Sequence, residues 1–175
     1  MQMGYHLRFL CVPKSFDADM KERKTLPHGV PEWVDRGDNW FITICCTPRG
    51  ENQIANACTF GAIAESLKLR EARGDLKLAI LTVMPDHLHL ICRVNHHRGM
   101  SKVIKDFKSY IGRTGAVRWQ RGYFDHRLRS PSEYLDKYDY VRSNPVRAGL
   151  CPTPEDWPYT HEANRGRSGP IVPTW

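Results

Sequence analysis

His87 and His89 stand one residue apart inside an apolar run, MPDHLHLIC, residues 84–92. On an extended chain residues i and i+2 face the same side, so the two imidazoles point together while Leu88 and Leu90 face away. Two neutral imidazoles side by side can bind one divalent cation. They can equally be strand residues held by ordinary hydrogen bonds, and H-x-H alone does not separate these readings. Further along, Tyr140 and Asn144 are spaced four apart. On a helix that spacing sets a phenol one turn before an amide oxygen, which is what a metal-assisted nucleophile needs. The plain alternative is a surface tyrosine.

Bringing such groups together takes a sheet and a helix. NWFITICC (39–46), LKLAILTVM (76–84) and HLHLICRV (87–94) read as strands, being rich in β-branched and aromatic residues. Pro85-Asp86 joins the last two as a tight hairpin turn, which forces antiparallel neighbours. GYFDHRLR (122–129) is a candidate fourth strand. ENQIANACTFGAIAESLKLREARGD reads as a helix ending near Gly74. GMSKVIKDFKSYIG is amphipathic: Val103, Ile104, Phe107, Tyr110 and Ile111 share a buried face, and Lys102, Lys105 and Lys108 step along another.

The helix carrying Tyr140 has the clearest start. Ser130 suits the N-cap, Pro131 the first turn, and Glu133 completes a capping box. It is expected to finish near Asn144, because Pro145 disfavours helical geometry in the residue before it, with Gly149 as a C-cap beyond. At ~100° per residue Tyr134, Leu135, Tyr138 and Val141 form its core face, with Tyr140, Asn144, Glu133 and Lys137 roughly opposite. The order strand–helix–strand–strand–helix–strand–helix implies an α+β fold with a ferredoxin-like antiparallel sheet flanked by helices. The chain divides into an irregular N-terminal extension (1–37), a domain over 38–150, and a Pro-rich tail (151–175) without periodicity.

The 175 residues suffice for one domain with a real core. Lys and Arg number 26 against 19 Asp and Glu, a net charge of +7. The excess concentrates in residues 98–129, where Lys102, Lys105, Lys108, Arg113 and Arg121 stand among few acids. Such a field favours polyanions such as nucleic acid, although surface lysines are also simply solvated. No apolar run approaches the ~18 residues of a membrane span, and the N-terminus offers no signal peptide, so no membrane partner and a cytoplasmic location are expected. The six cysteines show no C-x-x-C spacing and are expected to be reduced.

The segments MPDHLHLI, WQRGYFDHRLR and YVRSNPVRAGL, in that order, resemble the REP-associated tyrosine transposases. These are small HUH-type enzymes of the one-tyrosine, single-strand DNA transposase superfamily. The resemblance covers about residues 26–150 and includes the LPH…P-x-W-V entry and the F-I-T-I strand. It implies an HUH endonuclease fold, with His87 and His89 as metal ligands, Tyr140 as nucleophile and Asn144 as a third ligand. Many parent insertion-sequence enzymes have Gln at that last position, which makes Asn144 a departure. It further implies Mg²⁺ or Mn²⁺ as cofactor, and cleavage of single-stranded DNA near palindromic hairpins through a 5′-phosphotyrosine. Lys102, Lys105, Lys108, Arg113 and Arg121 would hold the DNA backbone, and Trp119, Tyr123 and Phe124 could stack on bases or pack in the core. The working form is monomer or homodimer. The competing reading is a domesticated relative that binds hairpin DNA without cutting it, and a third is a metal nuclease that uses activated water.

Overall fold

The structure is a computed structural model that describes residues 37–113 and 117–163; the expected N-terminal extension as far as residue 36 and the tail from 164 lie outside them. In chain order the elements are β1 (Asn39–Cys45), α1 (Ala57–Ala72), β2 (Leu76–Val83), β3 (His87–Val94), α2 (Met100–Gly112), β4 (Phe124–Leu128), α3 (Pro131–Arg147) and β5 (Thr160–Glu162). All strand pairings are antiparallel, in the order β4-β1-β3-β2-β5. The α+β, ferredoxin-like architecture expected from the sequence is the one found.

Alternation along the strands builds two cores, one on each side of the sheet. Ile42, Ile44, Leu88, Leu90 and Cys92 face α1 and α2, meeting Ile63, Leu67, Val103, Ile104 and Phe107. Phe41, Ile80, Ile91 and Leu128 face α3, meeting Tyr134, Tyr138 and Val141. The β2–β3 register shifts between Leu78 and Ile80. That bulge at Ala79 sends Leu76 and Leu78 to one core but Ile80 to the other, while Leu81 and Val83 return to the first. Burying each fully enclosed Ile or Leu contributes roughly 1.5–3 kcal/mol.

The register fixes a single row across the α3 side of the sheet: Phe124, Thr43, His89, Thr82 and Thr160 lie side by side on successive strands. His87 sits one step along β3, opposite Cys45. The turn that joins β2 to β3 closes with Met84 N–H donating to the His87 carbonyl at 2.8 Å.

Three local expectations need correcting. Residues 51–56 precede α1 rather than belong to it, because Asn56 caps the helix by accepting from the Thr59 amide at 2.9 Å. Next, α3 does not stop before Pro145 but runs through it to Arg147. Pro145 is buried, so packing offsets the lost helical bond. Gly149 at φ 70° then ends the helix, with amides 148, 149 and 150 returned to the carbonyls of Asn144, Val146 and Pro145. The expected C-terminal signal was therefore right in kind, and Asn144 lies inside the helix. Finally, the tail supplies an element that its lack of periodicity did not announce. β5 pairs with the outer edge of β2, Trp157 donates its indole N–H to the Val83 carbonyl at 2.9 Å, and Tyr138 donates to Glu162 at 2.9 Å. Two of these contacts are made by side chains, which periodicity does not report.

Candidate active site

His87 and His89 project from β3 with ring centroids 4.8 Å apart. Each ring is held at Nδ1 by an oxygen. The Asp86 carboxylate is 2.7 Å from His87 Nδ1, and because a carboxylate only accepts, Nδ1 is the donor, which in the neutral ring leaves the lone pair on Nε2. Thr43 Oγ1 lies 2.8 Å from His89 Nδ1; the hydroxyl can donate or accept there, and when it accepts, Nε2 of His89 is left with its lone pair. Paired imidazoles oriented from behind by oxygens are the usual support for ligands to a cation.

Electrostatics suits the same task. His89 is buried, and burial, reinforced by the neighbouring His87, Arg49 and Lys137, holds its imidazole well below the usual range and therefore neutral. Burial would raise the Asp86 carboxyl, but hydrogen bonds from His87 and the Gly50 amide, together with the Arg49 charge, outweigh it and hold the group well below the usual carboxylate range. Asp86 accepts from Gly50 N–H at 2.7 Å and from Arg49 Nε at 2.8 Å through its second oxygen. Arg49 also donates to Cys45 Sγ at 2.6 Å, and burial raises that thiol.

Tyr140 comes to this pair from α3. Its ring centroid lies 5.6 Å from that of His89 and 6.0 Å from that of Phe41, both edge-on. The ring thus occupies the flank of the packed helix face and joins the second core at its margin, rather than pointing directly away from it. Asn144 follows one turn later on the same stripe, half-buried, and its side-chain amide makes no hydrogen bond among the described residues. The structure therefore unites His87, His89 and Tyr140 within one chain.

The donor set can be tested against a divalent ion. Among the described residues no group of three or more His, Cys, Asp or Glu side chains gathers as a complete metal site. What remains is two imidazoles whose Nε2 atoms can offer lone pairs in the matching tautomer and, one helical turn from Tyr140, the amide of Asn144. Such a set fits an ion that keeps open positions for water or a phosphate oxygen, not a closed structural site.

The basic residues singled out from the sequence divide differently. Lys102 and Lys105 lie exposed on α2, which covers the face of the sheet opposite α3; Lys102 pairs with Asp106 at 3.3 Å. Arg113 and Arg121 are exposed. Lys108 is half-buried and spends its ammonium on backbone, donating to the carbonyls of Gln120 at 2.8 Å and Gly122 at 2.5 Å, with that of Arg121 at 3.4 Å. Burial lowers its pKa. Lys108 pins the loop that follows Trp119. Lys108→Met should therefore cost on the order of 1–3 kcal/mol in urea unfolding. A loss of DNA affinity without any change in the unfolding midpoint would contradict that assignment.

Trp119 bridges to Cys46 and packs against Phe107 at 6.4 Å, and Tyr123 meets Ser101 through its hydroxyl at 3.2 Å, so both rings belong to the α1–α2 core. Phe124 differs: 36% exposed, it stands on the α3 side beside Phe41. The sequence reading did not single out Asp86 and Thr43, which hold the two histidine rings, nor Lys137 and Arg147, whose cationic ends lie 5.4 and 5.6 Å from the Tyr140 ring centroid. Asp86 had a signal in its position directly before the H-x-H; Thr43 had one only once β1 was known to lie beside β3.

The sequence profile of the family described as "Transposase IS200 like" matches residues 42–141, more than half of the chain. The REP-associated tyrosine transposase of Escherichia coli is 23% identical over 130 residues, covering 71% of this chain and 76% of that protein. A solved structure of a REP-associated tyrosine transposase bound to a REP hairpin superposes with a TM-score of 0.63 at 21% identity, covering 72% of this chain and 77% of the other, which extends the agreement to the fold. The profile begins in β1 and ends in α3, so it spans all the elements that bring the histidine pair and Tyr140 together, and the chain belongs to the IS200-like transposase family.

Proposed function

We propose that this transposase-type protein cuts and rejoins single-stranded DNA beside a palindromic hairpin, with Tyr140 as nucleophile. The observation that carries the reading is the approach of the Tyr140 ring to His89, centroids 5.6 Å apart, with His87 beside it at 4.8 Å. The phenolic oxygen forms a bond to phosphorus as the bond from phosphorus to the 3′ oxygen breaks. The phenol's proton leaves to water, and the departing 3′ oxygen takes one up. The products are a 5′-phosphotyrosine and a 3′-hydroxyl, and the reverse step rejoins the strand without a nucleotide cofactor.

His87 and His89, with Asn144 as a third donor, would hold Mg²⁺ or Mn²⁺. When bound, the ion supplies Lewis-acid polarisation of a non-bridging phosphate oxygen. Asp86 and Thr43 keep the imidazoles in the required tautomer. Exposed Lys105, Arg113 and Arg121 would hold hairpin backbone away from the cut. Residues 38–150, closed at the sheet edge by β5, would form the catalytic domain. Histidines and tyrosine from one chain suffice for the site, which favours a working monomer, and a DNA substrate puts the work in the cytoplasm. Hairpin binding of the kind named for the structural neighbour is consistent with the basic surface.

The test is covalent capture. Labelled single-stranded oligonucleotides with a hairpin and randomised flanks are incubated with the protein and Mn²⁺ or Mg²⁺, then run on a denaturing gel. A labelled protein band that disappears with EDTA is expected. Tight binding without cleavage would instead identify a hairpin-binding protein, and cleavage without the band a water-using nuclease.

A further inference from the structure

Two cations bracket the tyrosine. Lys137 Nζ lies 5.4 Å from the Tyr140 ring centroid and 5.2 Å from that of Phe41, and Arg147 Cζ lies 5.6 Å from the Tyr140 centroid. On α3 they precede it by three residues and follow it by seven, so Lys137, Tyr140, Asn144 and Arg147 form one stripe. Neighbouring arginines are spent on carboxylates: Arg49 on Asp86, Arg127 on Asp38, and Arg142 on Glu155 and Glu162. Among the described residues Lys137 and Arg147 form no ion pair. Two uncompensated cations beside a tyrosine and a histidine pair suit an anion brought from outside.

The geometry points to Lys137 and Arg147 as a phosphate clamp that grips the backbone of a single DNA strand on the two sides of the bond presented to Tyr140. This rests on the strand-cleavage reading and names the part of that site that fixes the strand. The two residues stand on either side of Tyr140 along the helix and both heads reach back to its ring, which suits neighbouring phosphates of one strand. Lys supplies a compact point charge, and Arg a planar fork that meets two phosphate oxygens at once. The exposed ring of Phe124, on the same side of the sheet, extends this surface with a face on which an unpaired base can stack. The basic helix α2, on the other side, cannot serve the same phosphates.

The clamp is distinguished from a merely structural cation–aromatic contact by neutralising the DNA instead of the protein. On an oligonucleotide that the wild type captures, Lys137→Met and Arg147→Met should each slow covalent adduct formation roughly tenfold to a hundredfold. Lys137→Arg should recover most of that loss. Methylphosphonate at the phosphates flanking the cut should slow the wild type similarly and leave the corresponding variant almost unaffected. Independently of cleavage, the double variant should flatten the slope of log affinity against log salt for the hairpin pool by about 1.4, as for two lost single-strand phosphate contacts. Wild-type rates in either variant, an equal methylphosphonate effect on variant and wild type, or an unchanged salt slope would overturn the clamp. Should the wild type form no adduct, the nucleophile reading fails, and the salt slope still decides the clamp.

Discussion

Tyr140→Phe should remove covalent capture of DNA altogether, a fall of at least about a thousandfold in adduct formation, while hairpin affinity stays within roughly threefold. The substitution deletes one oxygen and keeps the ring. The contacts of that ring with Phe41 and His89 therefore persist, as do the cation contacts of Lys137 and Arg147. No hydrogen bond to a described residue is lost with the hydroxyl, so the unfolding midpoint should hardly move. A variant that still forms the adduct would remove Tyr140 from the chemistry. A matched variant, Tyr138→Phe, separates the two tyrosines: its hydroxyl is spent on Glu162 at 2.9 Å and ties α3 to β5. That change should lower stability by about 1 kcal/mol and leave adduct formation in place.

Asp86→Ala should have the second largest effect, and it should act on both metal affinity and stability. One carboxylate orients His87, accepts the Gly50 amide and pairs with Arg49. Without it His87 loses the acceptor that fixes its Nδ1 proton, and the ring is free to turn or change tautomer. Losing such an outer partner costs about 10–100-fold in metal affinity, measurable by Mn²⁺ titration with electron paramagnetic resonance. Adduct formation at limiting Mn²⁺ should fall by the same factor and recover as Mn²⁺ is raised. The stranded amide and imidazole add a stability loss on the order of 2–3 kcal/mol. Asp86→Asn retains an acceptor oxygen and should lose clearly less on both measures. Equal Mn²⁺ affinity in wild type and Asp86→Ala would show that the His87–Asp86 pair serves the turn alone.

Much of this site was legible before any coordinates. H-x-H on a strand fixes a shared side because the extended backbone has a period of two. The β3 span of 87–94 was read to the residue, since Pro85-Asp86 punctuates its start. The N-terminus of α3 was equally plain, with Ser130 accepting from the Glu133 amide as a capping residue should, although the Glu133 carboxylate accepts from the Arg129 amide and meets His126 instead of completing the expected capping box. The C-terminal limit was misread because the local rule for the residue before proline was applied without the burial of Pro145, which overrides it.

What the sequence alone determined, then, were the local facts: the strands, the capped helix, the common side of two imidazoles, and the four-residue interval from Tyr140 to Asn144. Family resemblance could attach roles to those residues but not distances. Tertiary structure decided that α3 lies across the side of the sheet bearing His87 and His89, that Thr43 and Asp86 hold the two rings, and that Lys108 is spent on a loop. It likewise drew Lys137 and Arg147 to Tyr140 and placed the lysines of α2 behind the sheet. The reason is physical: periodicity is fixed by the backbone geometry of a few residues, whereas encounters between elements depend on register and packing. A slip of one residue in β1 against β3 would turn Thr43 to the other core, and nothing local to either strand forbids it.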